Sequence, residues 1–205
     1  MDKNIFLKLY QGLRRKNGKP KDQWGLWCKR KKSEKERERV VIEAILTQRT
    51  NWRNVELAIT NLKKAKANSL KKIYSAGPEK IGFLIKPAGF YRQKAEYLFL
   101  LAQFIIKEYG SLKKMKKEKM IILREKLLKI KGIGPETADS ILLYALDKPI
   151  FVIDEYTKRM VKERKMAKIF SYPFLQNLFE KNLKKDFKLY QDFHALIVID
   201  GKKRN

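Results

Sequence analysis

Cysteine is almost missing from this chain of 205 residues, with Cys28 standing alone. One thiol cannot close an internal disulfide, and it points to a reducing compartment. Nor can it supply the four thiolates of an iron–sulfur site within one copy. Histidine also occurs once, as His194, and no zinc spacing, Walker loop, nucleotide fingerprint or solenoid-length repeat is present. There is no apolar run of the roughly 18 residues a membrane span needs. The opening MDKNIFLKLYQGLRRK interleaves charged and apolar residues, unlike a cleavable leader. Strict apolar/polar alternation is lacking as well, so no strand is predicted and the expected class is all-α. Acidic residues are scarce beside basic ones, 22 against 49.

That imbalance leaves a formal charge of +27. Spread over a chain that is 44% apolar and so able to bury a core, the surplus points to a polyanionic partner. The length fits one domain or two small lobes.

Chemistry concentrates in LLKIKGIGPETADSILLYALDKPIFVIDEYTKRM, residues 127–160. A helix ends at Ile130 and the chain turns through Lys131-Gly132-Ile133-Gly134. Glycines one residue apart suit a tight turn with positive φ. Pro135 then fits the first position of a new helix, where its missing N–H costs nothing. Thr137, Ala138, Ile141, Leu142 and Ala145 carry a helical period, so the unit reads helix–hairpin–helix. Amides of Gly132, Gly134 and Glu136 at the second helix's start form an anion cradle. Twenty residues after Gly134, the apolar run Phe151-Val152-Ile153 ends in Asp154, which by itself reads as a helix N-cap.

Elsewhere, residues 1–20 predict one helix and a loop. Trp24 and Trp27 follow, either as core or as stacking surfaces for bases. The charged run Lys29–Arg39 reads as a solvated lead into a helix. Residues 40–48 form a largely buried helix, and Asn51 caps the next. Ala76-Gly77-Pro78-Glu79 marks a stop and a proline-led restart, and 92–108 is a long central helix. Lys113–Lys117 reads as a solvated turn, and Ile121, Leu123, Leu127 and Leu128 lead into the hairpin. Helical segments are expected at about 155–165, 173–185 and 188–199, with Phe170, Tyr172, Phe174, Phe179 and Phe187 supplying their core. His194, alone among apolar neighbours, reads as structural.

Taken together, Ile-x-Gly-Ile-Gly-x-x-Thr-Ala from Ile130, Val-Ile-Asp-x-Tyr around Asp154, Leu46-Thr47-Gln48 and Pro87-Ala88-Gly89-Phe90-Tyr91 with Gln93-Lys94-Ala95 resemble the helix-hairpin-helix DNA glycosylase superfamily, to which endonuclease III belongs. The resemblance covers roughly residues 24–200. It implies an all-α fold of two helical lobes with the active-site cleft between them. One lobe would span 34–148, with the helix-hairpin-helix at about 121–146; residues 1–33 and 149–205 would form the other.

By the same resemblance, Asp154 is the carboxylate that stabilises positive charge on the sugar and orients a water. Gln48 would fill the gap left by an everted base, and Phe90 would wedge into the opposite strand. Lys131, Gly132, Ile133 and Gly134 would grip phosphate, and the main-chain carbonyls of Leu128, Ile130 and Ile133 would hold Na+ or K+. Trp24 and Trp27 would wall the base pocket. Bland alternatives stand beside these: core packing for the tryptophans, a helix staple for Phe90, an idle helix-end glutamine at 48.

Glu136 occupies the position where strand-cutting members carry a Schiff-base lysine, so a monofunctional enzyme is implied. Glu136 either contacts a cationic base or complements the helix N-terminus. With no cluster cysteines before the chain's last residues, the resemblance runs to the cluster-lacking 3-methyladenine DNA glycosylases of endonuclease III type. The expected enzyme removes an alkylated purine from double-stranded DNA, without an iron–sulfur cluster, as a cytoplasmic, nucleoid-associated monomer. Two alternatives remain: a bifunctional glycosylase–lyase using another lysine, such as Lys202, and a non-catalytic DNA-binding protein.

Overall fold

Short polar side chains begin many of the helices of this protein. Ser33, Asn51, Ser69, Ser111, Asp154 and Asp186 each accept a hydrogen bond from a backbone amide two or three residues on, satisfying donors a helix start would otherwise leave bare. At Ser33 the Glu36 side chain also reaches back to the Ser33 amide, completing a capping box. The computed structural model describes residues 4–203, and these residues contain twelve α-helices and no strand. They are α1 (Asn4–Asn17), α2 (Gln23–Trp27), α3 (Glu34–Leu46), α4 (Trp52–Lys64), α5 (Leu70–Leu84), α6 (Tyr91–Glu108), α7 (Leu112–Met115), α8 (Met120–Leu128), α9 (Pro135–Ser140), α10 (Glu155–Glu163), α11 (Tyr172–Asn182) and α12 (Phe187–Lys202). A 3-10 turn, Lys86–Ala88, precedes α6, and a π-helical turn, Ile141–Ala145, continues α9. No helix among the described residues is long and apolar enough to cross a membrane.

The helices gather into two compact units. One consists of Lys31–Leu146. Here α6 packs on α3 and α5, and α8 on α9, around Ile45, Leu62, Ile73, Leu98, Leu101 and Ile105, all fully buried. The predicted break in α5 is present: Gly77 leaves helical geometry at φ 77° before Pro78. The hairpin joins α8 to α9, and Arg124 on α8 forks onto buried Asp139 on α9 at 2.7 and 3.1 Å. A two-point charge-assisted pair of this kind sets the angle between its helices.

The other unit takes the residues up to Arg30 and those from Asp147 on. In it α1 and α10 lie against α12, around Phe6, Phe151, Phe179, Tyr190 and Phe193, each fully buried. Phe151 stacks on Phe179 with centroids 4.3 Å apart and ring planes 21° from parallel, a close aromatic stack.

Three expectations need correction. The charged run is not a solvated lead, because from Glu34 it is α3 itself. In it Arg37 is buried and donates to the Ala145 carbonyl, which closes the π-helical turn. Lys113–Lys117 is not a plain turn, since α7 forms there to bury Leu112 and Met115. Of the five aromatics expected in the C-terminal core only Phe179 is buried, while Phe170 and Phe174 face outward; Phe151 and Phe193 fill that space instead.

The hairpin glycines also differ from each other. Gly132 has φ 84°, and a Cβ there would sit 2.2 Å from the Tyr97 ring. Gly134, the N-cap of α9, has an ordinary φ of −87° and open space where a Cβ would go. Positive φ is therefore required once, not twice. Gly132→Ala should lose about 2 kcal/mol or more of stability in urea melts, while Gly134→Ala should change it by less than about 0.5 kcal/mol.

Candidate active site

Residues 147–154 belong to no helix or strand, so their backbone groups need other acceptors and donors. One face of α11 supplies them. Tyr172, Gln176 and Glu180, spaced four apart, all meet this run. Glu180 Oε1 accepts the Phe151 amide at 2.8 Å, Gln176 Nε2 donates to the Phe151 carbonyl at 2.7 Å, and the Tyr172 hydroxyl lies 3.5 Å from the Ile153 amide. With Phe151 anchored in the aromatic cluster, the run delivers Asp154 to the start of α10.

Asp154 has extended backbone angles and caps α10. Its Oδ1 accepts from the Thr157 amide at 2.7 Å and from the Thr157 hydroxyl at 2.8 Å. Oδ2 faces His194 Nε2 at 3.5 Å, and the Asp154 side chain is 13% exposed. Burial pushes the carboxyl up, but attraction and hydrogen bonding from His194 and the two Thr157 donors outweigh it and hold it below the usual carboxylate value. The group is thus an anion in a nearly dry place, able to stabilise positive charge nearby.

Around it the same unit collects three further groups. The Trp24 ring lies edge-on to His194 at 5.8 Å between centroids, and Trp27 packs edge-on to Trp24 at 5.6 Å. Both tryptophans are buried. Lys202 reaches Gln23 Oε1 at 3.2 Å. Loss of water lowers its ammonium, opposed by the pull of the Asp154 carboxylate. Asp154, Trp24, Trp27 and Lys202 are therefore brought together, joined by His194, Thr157 and Gln23. His194 was read from the sequence as structural; only its address on α12, forty residues from Asp154, makes it the carboxylate's neighbour. The motif pattern named Asp154 but carried no signal for Thr157 beyond the ordinary spacing of a capped first turn.

Lys31–Leu146 holds the rest. Gln48 Nε2 donates to the Gly132 carbonyl at 3.1 Å and the Thr137 hydroxyl at 3.0 Å, which fastens it to the hairpin. The amides of Gly132 and Gly134 donate no hydrogen bond among the described residues, as an anion cradle requires. Lys131 points its ammonium at Glu96 at 2.7 Å, and that hydrogen bond raises its pKa. Glu136 is exposed on the first turn of α9, where its charge suits the helix dipole. Phe90, 60% exposed, precedes α6 in the left-handed region at φ 45°. At the turn, the carbonyls of Leu128 and Ile133 accept no backbone hydrogen bond among the described residues, and Ile130 accepts one from Ile133.

Because the folded pKa of Asp154 lies below its unfolded value, its contribution to stability is fully present above the unfolded value near 3.9 and is lost as pH falls through the folded one. Thr157→Val removes one donor to the anion and so raises the folded pKa. It should cost about 1.5 kcal/mol in thermal or urea unfolding at neutral pH and shift the acid limb of any Asp154-dependent activity to higher pH.

Residues 42–185 match the family described as HhH-GPD superfamily base excision DNA repair protein. A Methanocaldococcus jannaschii protein provisionally named a DNA repair glycosylase is 48% identical over 170 residues, 80% of this chain and 76% of its own length. Endonuclease III of Thermotoga maritima is 32% identical over 122 residues, 60% of this chain and 54% of that protein. The crystal structure of an H. pylori 3-methyladenine DNA glycosylase bound to 1,N6-ethenoadenine superposes with a TM-score of 0.82 at 30% identity, covering 100% of this chain and 99% of that one. The chain therefore belongs to the HhH-GPD superfamily of base excision DNA repair proteins, and it is a DNA repair glycosylase of that family.

Proposed function

We propose that this glycosylase is monofunctional and hydrolyses the bond between deoxyribose and an alkylated purine such as 3-methyladenine in double-stranded DNA. The observation that carries the reading is the Asp154 carboxylate, kept ionised by Thr157 and His194 although only 13% of its side chain is exposed. As the glycosidic bond lengthens, positive charge grows on the sugar, and an anion in low dielectric stabilises it strongly. Water adds to the sugar carbon and gives up a proton to solvent, the base departs with the bonding electrons, and a cationic 3-alkyl purine leaves neutral. Such a base is the better leaving group, so less catalysis is needed.

Trp24 and Trp27 lie buried beside His194, and a cationic base that reaches their rings would gain cation–π attraction. The exposed Phe90 ring suits insertion into a base step, and Gln48 would take the emptied place. The free amides at Gly132 and Gly134 suit phosphate, with Lys131 adding charge and binding without reading sequence. The carbonyls of Leu128, Ile130 and Ile133 fit a monovalent cation, which would add positive charge at the phosphate. At 136 stands a glutamate in the first turn of α9, which cannot form a Schiff base. Cys28, the one cysteine of the sequence, cannot ligate an iron–sulfur cluster by itself.

A second reading rests on Lys202, whose ammonium is lowered by desolvation and feels Asp154; such an amine could attack the sugar and cut the strand. With duplexes each carrying one lesion, the enzyme should release free 3-methyladenine, and Asp154→Asn should reduce release by about 100-fold or more while binding to an abasic-analogue duplex persists. Borohydride should trap no covalent adduct on abasic DNA. An adduct lost in Lys202→Ala would establish the lyase instead, and base release unaffected by Asp154→Asn would remove both readings.

A further inference from the structure

Lys94 is 2% exposed, deep enough that a cation needs an explanation. Its Nζ donates to the Leu46 carbonyl at 2.8 Å and to the Ala88 carbonyl at 2.7 Å. Leu46 is the last residue of α3, and Ala88 the last of the 3-10 turn. Helix ends leave such carbonyls without intrahelical donors, and a cation there is favourable. Two residues beyond the first carbonyl is Gln48; two residues beyond the second is Phe90. The Lys94 amide also donates to the Phe90 carbonyl at 3.0 Å, so one residue holds the second loop from both its backbone and its side chain.

The loops need that hold. Phe90 sits at φ 45°, and Arg49, next to Gln48, at φ 49°. Left-handed geometry is strained for side chains of this size and persists only where surroundings impose it.

We propose that Lys94 is a positioning residue whose buried ammonium ties the Gln48 and Phe90 loops into one rigid edge, so that the two side chains enter the duplex as a unit. This rests on the roles given to Gln48 and Phe90 under the proposed function. Burial lowers the Lys94 ammonium to about 8, so it remains mostly protonated at neutral pH with its donors in use. The tie also runs on to the hairpin, since Gln48 is bonded to the Gly132 carbonyl and Thr137.

Two measurements test the idea on the whole protein. In hydrogen exchange without DNA, Lys94→Met should speed exchange together in residues 47–50 and 86–91, whose amides include the bonded Gln48, Ala88 and Gly89. Lys94→Gln, which keeps a shorter donor, does the same to a lesser degree and serves if the Met variant does not fold. Exchange that rises in one loop only, or uniformly over the protein, overturns the tie. In the second, Gln48→Ala and Phe90→Ala are combined, and affinity for an abasic-analogue duplex is measured. With Lys94 present, the double variant should differ from the product of the single losses by about threefold or more; with Lys94→Gln that difference should vanish. A merely structural lysine would lower the melting temperature and leave the coupling intact. Should neither single variant weaken DNA binding, the insertion roles fail while hydrogen exchange still decides the tie.

Discussion

An ionised carboxylate kept nearly dry is the constraint around which half of this protein is arranged. A buried charge survives only where its lone pairs are met and an opposite or polarisable group stands close. Asp154 meets both terms with Thr157 on one oxygen and His194 beside the other. Those partners demand further support. His194 must be held by Trp24 and Phe151, and the run leading to Asp154 must be braced by Tyr172, Gln176 and Glu180 in place of a neighbouring strand. The N-cap duty of Asp154 and the chemical duty proposed for it are the same physics, since a carboxylate that satisfies a helix start is also one whose proton is easily lost.

The Lys31–Leu146 unit is organised by α6 in a comparable way. From its first two turns come Lys94, Glu96 and Tyr97, which respectively hold two loop carbonyls, pair with Lys131, and fill the space below Gly132. Gly132 is a glycine because a ring occupies the place of its side chain. Gly134 is under neither conformational nor steric demand within the fold, which leaves its amide open to the close phosphate approach proposed for it.

Most of the helices were readable from the chain because their starts are local chemistry: Asn51, Ser69 and Pro135 act within one turn of where they stand. The kink at Gly77 was readable for the same reason. Assignments that depended on which face meets the core failed more often. Arg37 looks like a solvent residue until the Ala145 carbonyl is seen to need a donor, and Phe170 and Phe174 look like core until Phe151 and Phe193 are found to have filled it. Hydrophobic periodicity tells that a face is apolar, not what lies against it.

By itself the sequence determined the all-helical class, the glycine turn leading into α9, the carboxylate at the head of α10 and the strong positive charge, because each follows from residue type, spacing or a simple sum. Only the tertiary structure decided that His194 stands against Asp154, that Tyr97 fills the place of a side chain at Gly132, and that Lys94 reaches back to the carbonyl of Leu46. Those relations join residues separated by forty, thirty-five or forty-eight positions, and no local rule encodes them; they exist because burial forces distant polar groups to find one another.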